Sequence, residues 1–261
     1  MNDFPFANKS LGQHWLTDDT VLESIVDAAG VKATDTVLEI GPGLGTLTKH
    51  LLKRAKQVVA VEFDQALANK LAQQKLSDKL KVITTDILQF DLTSLPPDYK
   101  VVANIPYYLT SKLIRNLSET PNAADTVVIL VQKEVAERVA AKSGNMSLLS
   151  VSAQFYWDVS LGIDVPAKLF IPPPKVDSKV LIMKIIKQAV FDDVDKKKYF
   201  QLVKAGFSSR RKTLLNSLSG GLRLDKDEIN RLFLAAGLDT GLRPQMLSLE
   251  DWHKIYLVLY K

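Results

Sequence analysis

Apolar runs of strand length alternate with longer amphipathic stretches through the first half of the chain. Five runs rich in aliphatic residues have the length of buried strands: Val37–Ile40, Val58–Phe63, Lys81–Thr85, Val101–Ile105 and Thr126–Val131. Three stretches between them show the apolar spacing of helices: Leu44–Arg54, Gln65–Leu76 and Ser111–Leu117. This alternation predicts an α/β fold, a mainly parallel sheet with helices on both faces. In such sheets ligands bind beyond the carboxyl ends of the strands.

After Ile185 the pattern changes to helical periodicity without intervening strands. Four stretches carry it: Asp195–Phe207, Arg210–Leu218, Asp227–Ala236 and Ser248–Tyr260. We therefore predict two domains, a catalytic α/β domain at residues 1–185 and a small C-terminal all-helical domain at residues 186–261.

Charge is distributed unevenly between these two parts. The chain is 46% hydrophobic and 24% charged, enough to bury a full core, with a net charge of +5. Residues 184–261 hold 15 Lys and Arg against 9 Asp and Glu, whereas residues 1–183 hold 19 against 20. A basic tail on a near-neutral body indicates a polyanionic partner such as nucleic acid. The alternative is a solvated helical surface that carries lysines.

Composition argues against metal and membrane chemistry. The chain has no cysteine, and its three histidines, His14, His50 and His253, lack the spacing of zinc ligands, so we expect no metal. The N-terminus lacks a signal pattern, and no apolar run approaches the roughly 18 residues of a spanning helix. We expect a cytoplasmic protein with no membrane partner.

The ends of the first three predicted strands indicate a nucleoside site. Gly41-Pro42-Gly43-Leu44-Gly45 joins the first strand to a helix, where glycines would let a bound nucleoside approach the backbone. Glu62 ends the second strand, where it can accept hydrogen bonds from ribose hydroxyls, and Asp86 follows the third, where it can accept from an adenine amine. These residues do not decide between an NAD-type ligand and S-adenosylmethionine.

The fourth strand ends in Asn104-Ile105-Pro106-Tyr107, which resembles the (Asp/Asn)-x-Pro-(Tyr/Phe) signature of methyltransferases that act on conjugated amines. The Asn104 side-chain oxygen and the Ile105 carbonyl would accept the two amine hydrogens and direct the nitrogen lone pair toward the methyl donor. Pro106 fixes the backbone, and Tyr107 offers a stacking face worth about 1–3 kcal/mol. No general base is required. An Asn-Pro turn with a core tyrosine is the structural alternative.

Three further segments extend the resemblance to one family over nearly the whole chain. They are Lys9–Leu16, Phe170–Ser178 with its triple proline, and Phe207–Asn216 with Arg210-Arg211-Lys212. Together with the tetrad they resemble the KsgA-type small-subunit ribosomal RNA adenine dimethyltransferases. The resemblance implies a Rossmann-like class I methyltransferase sheet, S-adenosylmethionine as cofactor and S-adenosylhomocysteine as product. It also implies N6-dimethylation of two adjacent adenosines near the 3′ end of 16S rRNA in the small ribosomal subunit, during its biogenesis.

The resemblance also implies roles for individual residues. Cofactor contacts fall on His14, Leu16, Gly41, Glu62, Asp86 and Asn104. His14 departs from the more usual asparagine, although it keeps a donor and an acceptor. Phe170 would be a second aromatic near the flipped base, opposite Tyr107, or else a core residue. Arg210, Arg211 and Lys212 would bind the RNA backbone, and Tyr108 would support the pocket or pack in the core.

Three alternatives stay open. A related large-subunit rRNA adenine methyltransferase fits less well because of the triple proline and the Arg-Arg-Lys-Thr stretch. A DNA adenine methyltransferase normally needs a larger recognition domain than this tail. A noncatalytic ribosome-assembly factor would not need intact Gly41, Glu62, Asp86 and Asn104. Since nothing in the sequence indicates an obligate dimer, we expect a monomer.

Overall fold

The structure is a computed structural model that describes residues 13–209 and 211–261. The strands are β1 Trp15–Leu16, β2 Thr36–Ile40, β3 Gln57–Glu62, β4 Leu80–Thr84, β5 Lys100–Asn104, β6 Thr126–Gln132, β7 Trp157–Val165, β8 Phe170–Ile171 and β9 Ser178–Ile185. The helices are α1 Asp19–Ala28, α2 Thr46–Arg54, α3 Gln65–Gln73, α4 Thr110–Glu119, α5 Lys133–Val139, α6 Leu148–Gln154, α7 Lys196–Gly206, α8 Leu214–Leu222, α9 Lys226–Ala236 and α10 Leu249–Tyr260. Arg210 and the motif residues 9–12 lie outside the described residues.

Seven strands form one mixed sheet in the order β4-β3-β2-β5-β6-β9-β7. The five predicted strands pair in parallel, and β9 pairs antiparallel with β6. A separate two-stranded sheet pairs β1 with β8, placing Leu16 opposite Phe170. The predicted α/β fold is confirmed, with β7 and β9 as additions to the parallel core.

Central strands read as continuous apolar runs because the sheet is covered on both faces. Neighbouring residues of a strand point to opposite faces, yet Val37 and Leu38 are both fully buried. Helix α1 begins at an Asp18 cap whose side chain accepts from the Val21 amide. It packs Ile25 with other apolar residues of α1, α2 and the strands into one core cluster. The parallel order brings the ends of β2, β3 and β5 to one edge of the sheet.

The chain forms two compact units. Of the described residues, those up to Ala136 and those of Asp158–Ile185 form the first unit, and those of Glu137–Trp157 and Ile186–Lys261 form the second. The chain passes from the first unit to the second for the last time after Ile185, which is the position of the boundary in the sequence prediction. The segment Glu137–Trp157 differs from that prediction, because its apolar side chains, Phe155 among them, belong to the core of the helical unit.

Helix α8 begins four residues later than the sequence pattern predicted. The Lys212 amide donates to the Ser209 carbonyl in a turn, and Thr213 has the extended backbone of a residue that precedes a helix. Arg211 and Lys212 therefore lie exposed ahead of α8. Among the helices of the described residues, none is long and apolar enough to cross a membrane.

Candidate active site

Two adjoining pockets open at the carboxyl ends of β2, β3 and β5, and we call them together the strand-end cleft. They share the lining residues Gly41, Glu62, Phe63, Pro106 and Tyr108. The first pocket extends to β1 and the tetrad, with His14, Leu16, Asn104, Ile105, Tyr107 and Phe170 on its walls. The second extends past β4 to Thr85, Asp86 and Ile87. Every residue predicted for the cofactor and the reacting amine therefore borders this cleft.

The glycine turn after β2 is shaped by packing as much as by ligand access. Gly41, Gly43 and Gly45 all have positive φ, from 54° to 77°. A Cβ on Gly43 would lie 2.5 Å from the Trp15 ring, and one on Gly45 would lie 2.6 Å from Leu71. Packing against Trp15 and Leu71 is therefore a second reason for glycine at Gly43 and Gly45, beside the predicted access of a nucleoside to the backbone, which stays a prediction. At Gly41 the nearest atom to such a Cβ is the Asn104 carbonyl oxygen, 3.9 Å away.

The Glu62 carboxylate is fixed in the wall of the cleft. One oxygen accepts from the Gly43 amide at 3.0 Å, and the other accepts from the Asp64 amide at 2.9 Å. Burial raises the pKa of Glu62, and these two hydrogen bonds oppose the rise. Each oxygen keeps a further lone pair, so the carboxylate can accept from two hydroxyl groups of a ligand while held in place.

Glu39, in β2, is a cleft residue that the sequence reasoning missed. It is 1% exposed and lines the first pocket. Among the described residues, neither of its carboxylate oxygens has a hydrogen-bond partner. Burial raises its pKa to about 8, the Thr48 hydroxyl opposes this rise, and the nearby Glu62 carboxylate adds to it. An acidic residue inside the otherwise apolar run Val37–Ile40 was the signal that could have identified it.

Asn104 is the last residue of β5, and a hydrogen bond to His14 orients its side-chain amide. Its Nδ2 atom donates to the His14 carbonyl at 3.4 Å. Since a carbonyl only accepts, the Asn104 Oδ1 atom is left to accept from a ligand. In the turn that follows, the Pro106 carbonyl accepts from the Leu109 amide and the Tyr107 carbonyl accepts from the Thr110 hydroxyl.

Tyr107 is held in one orientation by residues from distant parts of the chain. Its hydroxyl shares a hydrogen bond of 2.8 Å with Ser178, the last residue of the triple-proline motif. Its ring lies 21° from the plane of the His14 ring, with centroids 6.1 Å apart. The His14 Nδ1 atom in turn donates to the Pro172 carbonyl at 2.7 Å. Thus the N-terminal motif, the tetrad and the triple-proline motif meet at one wall of the cleft.

The other predicted residues occupy varied surroundings. Asp86 accepts from the Leu88 amide at 2.9 Å and is half-buried. Phe170 is buried in the core cluster while also bordering the first pocket, so both of its predicted roles fit its position. Arg211 and Lys212 belong to the second unit. Within the described ranges, no three His, Cys, Asp or Glu side chains could hold a metal ion.

The sheet, with a glycine turn and acidic residues at its strand ends, defines a class I methyltransferase fold, as the sequence predicted. The chain belongs to the ribosomal RNA adenine dimethylase family, whose model matches residues 6–261. The predicted family is thereby confirmed, and with it the assignment as a methyltransferase.

Individual relatives extend over almost the same length. The ribosomal RNA small subunit methyltransferase A of Dehalococcoides mccartyi (strain CBDB1) is 44% identical over 255 residues, 96% of this chain and 88% of the relative. The crystal structure of a dimethyladenosine transferase from Plasmodium falciparum is similar with a TM-score of 0.78 at 26% identity, covering 94% of this chain and 96% of that one. The crystal structure of 23S rRNA methyltransferase ErmE gives a TM-score of 0.76 at 26% identity, covering 95% and 100%.

Proposed function

We propose that this protein transfers methyl groups from S-adenosylmethionine to the N6 atom of adenosines in ribosomal RNA, giving N6,N6-dimethyladenosine. The observation that carries the proposal is the orientation of Asn104. Because its Nδ2 atom donates to the His14 carbonyl, its Oδ1 atom is available to accept from the target amine. The family membership of the chain supports the same reaction.

The residues of the strand-end cleft fit S-adenosylmethionine, which supplies an electrophilic methyl group on a sulfonium. Its ammonium and sulfonium charges suit the buried, unpartnered Glu39 carboxyl, since a neighbouring cation would favour the ionised form. Glu62 would accept from the ribose hydroxyls, and Asp86 would accept from the adenine amine. His14, Leu16 and Gly41 would complete the cofactor wall.

At the reacting end, the chain orients the amine and does not need to remove its proton first. Asn104 Oδ1 and the Ile105 carbonyl would accept the two amine hydrogens, which turns the lone pair away from both acceptors. Tyr107, fixed by Ser178, offers a ring face to the target base. After one methylation a single hydrogen remains, and one of the two acceptors suffices to hold it. Alignment therefore accounts for most of the rate enhancement.

The names of the relatives and the sequence resemblance support a specific target. We propose two adjacent adenosines near the 3′ end of 16S rRNA in the small ribosomal subunit, modified by a monomeric enzyme during biogenesis of that subunit. The Dehalococcoides mccartyi relative is named for the small subunit, which supports this choice. The likeness to a 23S rRNA methyltransferase makes the large subunit the alternative. Arg211 and Lys212 would bind RNA phosphates.

The test supplies labelled S-adenosylmethionine with small subunits, large subunits or their naked RNAs, all lacking the modification. We expect label in small-subunit RNA, and N6,N6-dimethyladenosine by mass spectrometry of its digest. The Asn104→Ala variant serves as the catalytically impaired control. Label in large-subunit RNA alone would favour the alternative target. No transfer to any of these substrates would refute the enzymatic function.

A further inference from the structure

A large aromatic residue stands exposed at the mouth of the strand-end cleft. Tyr108 is 66% exposed, although its ring belongs to a class of side chain that contributes strongly to cores and interfaces. The sequence analysis gave Tyr108 two possible roles, support of the pocket or packing in the core. An exposed fraction of 66% is incompatible with packing in the core. Tyr108 also borders both pockets of the cleft. A ring in this position can contact a ligand without rearrangement of the core.

The backbone beneath Tyr108 is held by a short 3-10 turn, Tyr107–Leu109. Hydrogen bonds close this turn at Pro106 and Tyr107, and α4 follows directly. The two consecutive tyrosines differ in their surroundings: Tyr107 is half-buried and bonded to Ser178, while Tyr108 faces solvent. The turn therefore presents one ring toward the cleft interior and a second at its entrance.

A cation accompanies this ring. Lys112 is exposed, lies near the start of α4, and lines the second pocket, which Tyr108 also borders. Together the two side chains offer an aromatic face and a positive charge at one opening of the cleft. A nucleotide carries the complementary pair, a flat base and a phosphate.

We propose that Tyr108 is a stacking platform for a nucleobase of the RNA next to the methylated adenosine, and that Lys112 binds the phosphate beside it. The assignment rests on the proposed function. A nucleobase at this position could belong to the cofactor or to the RNA. The buried Ile87, beside Asp86, already provides an enclosed surface for the cofactor adenine in the second pocket. Tyr108 is open to solvent and adjoins the tetrad, as a flanking RNA nucleotide requires.

The test compares Tyr108→Phe, Tyr108→Leu and Tyr108→Ala in the full chain. Methyl transfer to unmodified small subunits gives kcat and separate KM values for RNA and S-adenosylmethionine, and fluorescence anisotropy gives the Kd of an RNA hairpin. We expect Tyr108→Phe to match the wild type within about twofold, because the ring face remains. The Leu and Ala variants are expected to raise the RNA KM and Kd about 5- to 100-fold with the cofactor KM unchanged. Since the side chain is exposed, these variants should fold, which circular dichroism checks.

Lys112→Ala tests the phosphate contact, with Lys53→Ala on α2 as the matched control, since Lys53 is also exposed but lies outside both pockets. We expect Lys112→Ala to weaken RNA binding and to lower the slope of log Kd against log salt by about 1, with no change for Lys53→Ala.

Each other result overturns the assignment. A rise confined to the cofactor KM would place Tyr108 against the cofactor, and unchanged RNA affinity in the Leu and Ala variants would remove the platform. A lower kcat with unaltered RNA KM and Kd would place the ring in the chemical step instead. The RNA affinity measured by anisotropy does not depend on methyl transfer. If the wild type showed no activity, the proposed function would be refuted, but the affinities of the Tyr108 variants would still test the stacking of a nucleobase on Tyr108.

Discussion

Asn104 is placed by two constraints at once, the end of β5 and the donation of its Nδ2 atom to the His14 carbonyl. Asn104→Ala removes the proposed acceptor for the target amine. We expect it to lower kcat by about 10²- to 10³-fold, the cost of losing one aligned polar group at a reacting centre. Cofactor binding, measured by calorimetry, should stay largely intact, because Asn104 is only one of six predicted cofactor contacts and the other five remain.

Asn104→Asp is the informative second variant, because it keeps an acceptor but lacks the donor to His14. We expect its activity to fall as well, since two oxygens would face each other where the Asn104 amide now bonds. A wild-type methylation rate in the alanine variant would contradict the proposed amine orientation.

The Glu39 carboxyl makes stability depend on pH. Its ordinary pKa of 4.5 applies to the unfolded chain, whereas burial raises the pKa to about 8 in the fold. Between these values the unfolded state ionises and the folded state keeps its proton, so stability falls as pH rises. Relative to Glu39→Gln, the wild type should lose on the order of 3 kcal/mol of unfolding free energy between pH 5 and pH 8. Urea unfolding at both pH values measures this, and identical pH dependence in the two proteins would count against it.

Residue identity was enough to predict part of the lining of the strand-end cleft. Glu62 and Asn104 are the last residues of their strands and Asp86 follows β4, and a parallel sheet brings such strand ends to one edge without further information. At Glu39 the sequence carried a signal, an acidic residue in an apolar run, but the sequence did not give the burial of that carboxyl or its place in the cleft. The exposure of the Tyr108 ring could not be predicted either, because exposure is defined by the neighbours of a side chain in the fold. The contacts that join His14, Tyr107 and Ser178 could not be predicted from the sequence either, because these residues are far apart in the chain and meet only in the fold.

At the level of elements, the β2–α2 turn is constrained by packing at Gly43 and Gly45. Gly43→Ala would force a Cβ against the Trp15 ring at a φ of 54°. We expect a loss of about 1–3 kcal/mol in unfolding free energy, with weaker cofactor binding. Gly220→Ala in α8 is the matched control, since nothing lies within 4 Å of the added Cβ. It should be neutral or stabilising by up to about 1 kcal/mol in urea unfolding. Equal effects of the two substitutions would argue against packing as the role of Gly43.

The sequence predicted those strands whose pattern of apolar residues is decided by burial alone. The central residues of β2, β3, β5 and β6 are mostly apolar because both faces of the sheet are covered, and Glu39 in β2 is the exception. β7 was missed because, at the sheet edge, most of its residues keep contact with solvent. β9 includes polar residues that find partners across the sheet, such as Lys179, whose Nζ atom lies 2.8 Å from Asp164 on β7. A prediction from the periodicity of apolar residues cannot detect such pairs, because the two partners lie on different strands.

For the whole molecule, the uneven charge makes RNA binding depend on salt. Arg211 and Lys212 are exposed in the basic second unit. Replacing both by alanine should weaken RNA binding and lower the slope of log Kd against log salt by up to about 2. Affinity for S-adenosylmethionine should not change. Lys226→Ala with Arg231→Ala on α9 removes the same charge from another exposed site and is the control. An equal loss in both double variants would indicate a general charge effect without a local contact.

The chain passes between the two units after Ala136, Trp157 and Ile185, so neither unit is a continuous stretch. Helix α6 supplies Val151, and the residue that follows it supplies the Phe155 side chain, to a core whose other members include Trp252 on α10. During synthesis, therefore, α6 emerges long before its packing partners, and the second unit cannot complete its core until translation has reached α10. A fragment cut at residue 186 would lack α6 for the same reason. Exchange of the helical unit between relatives would have to carry both segments together.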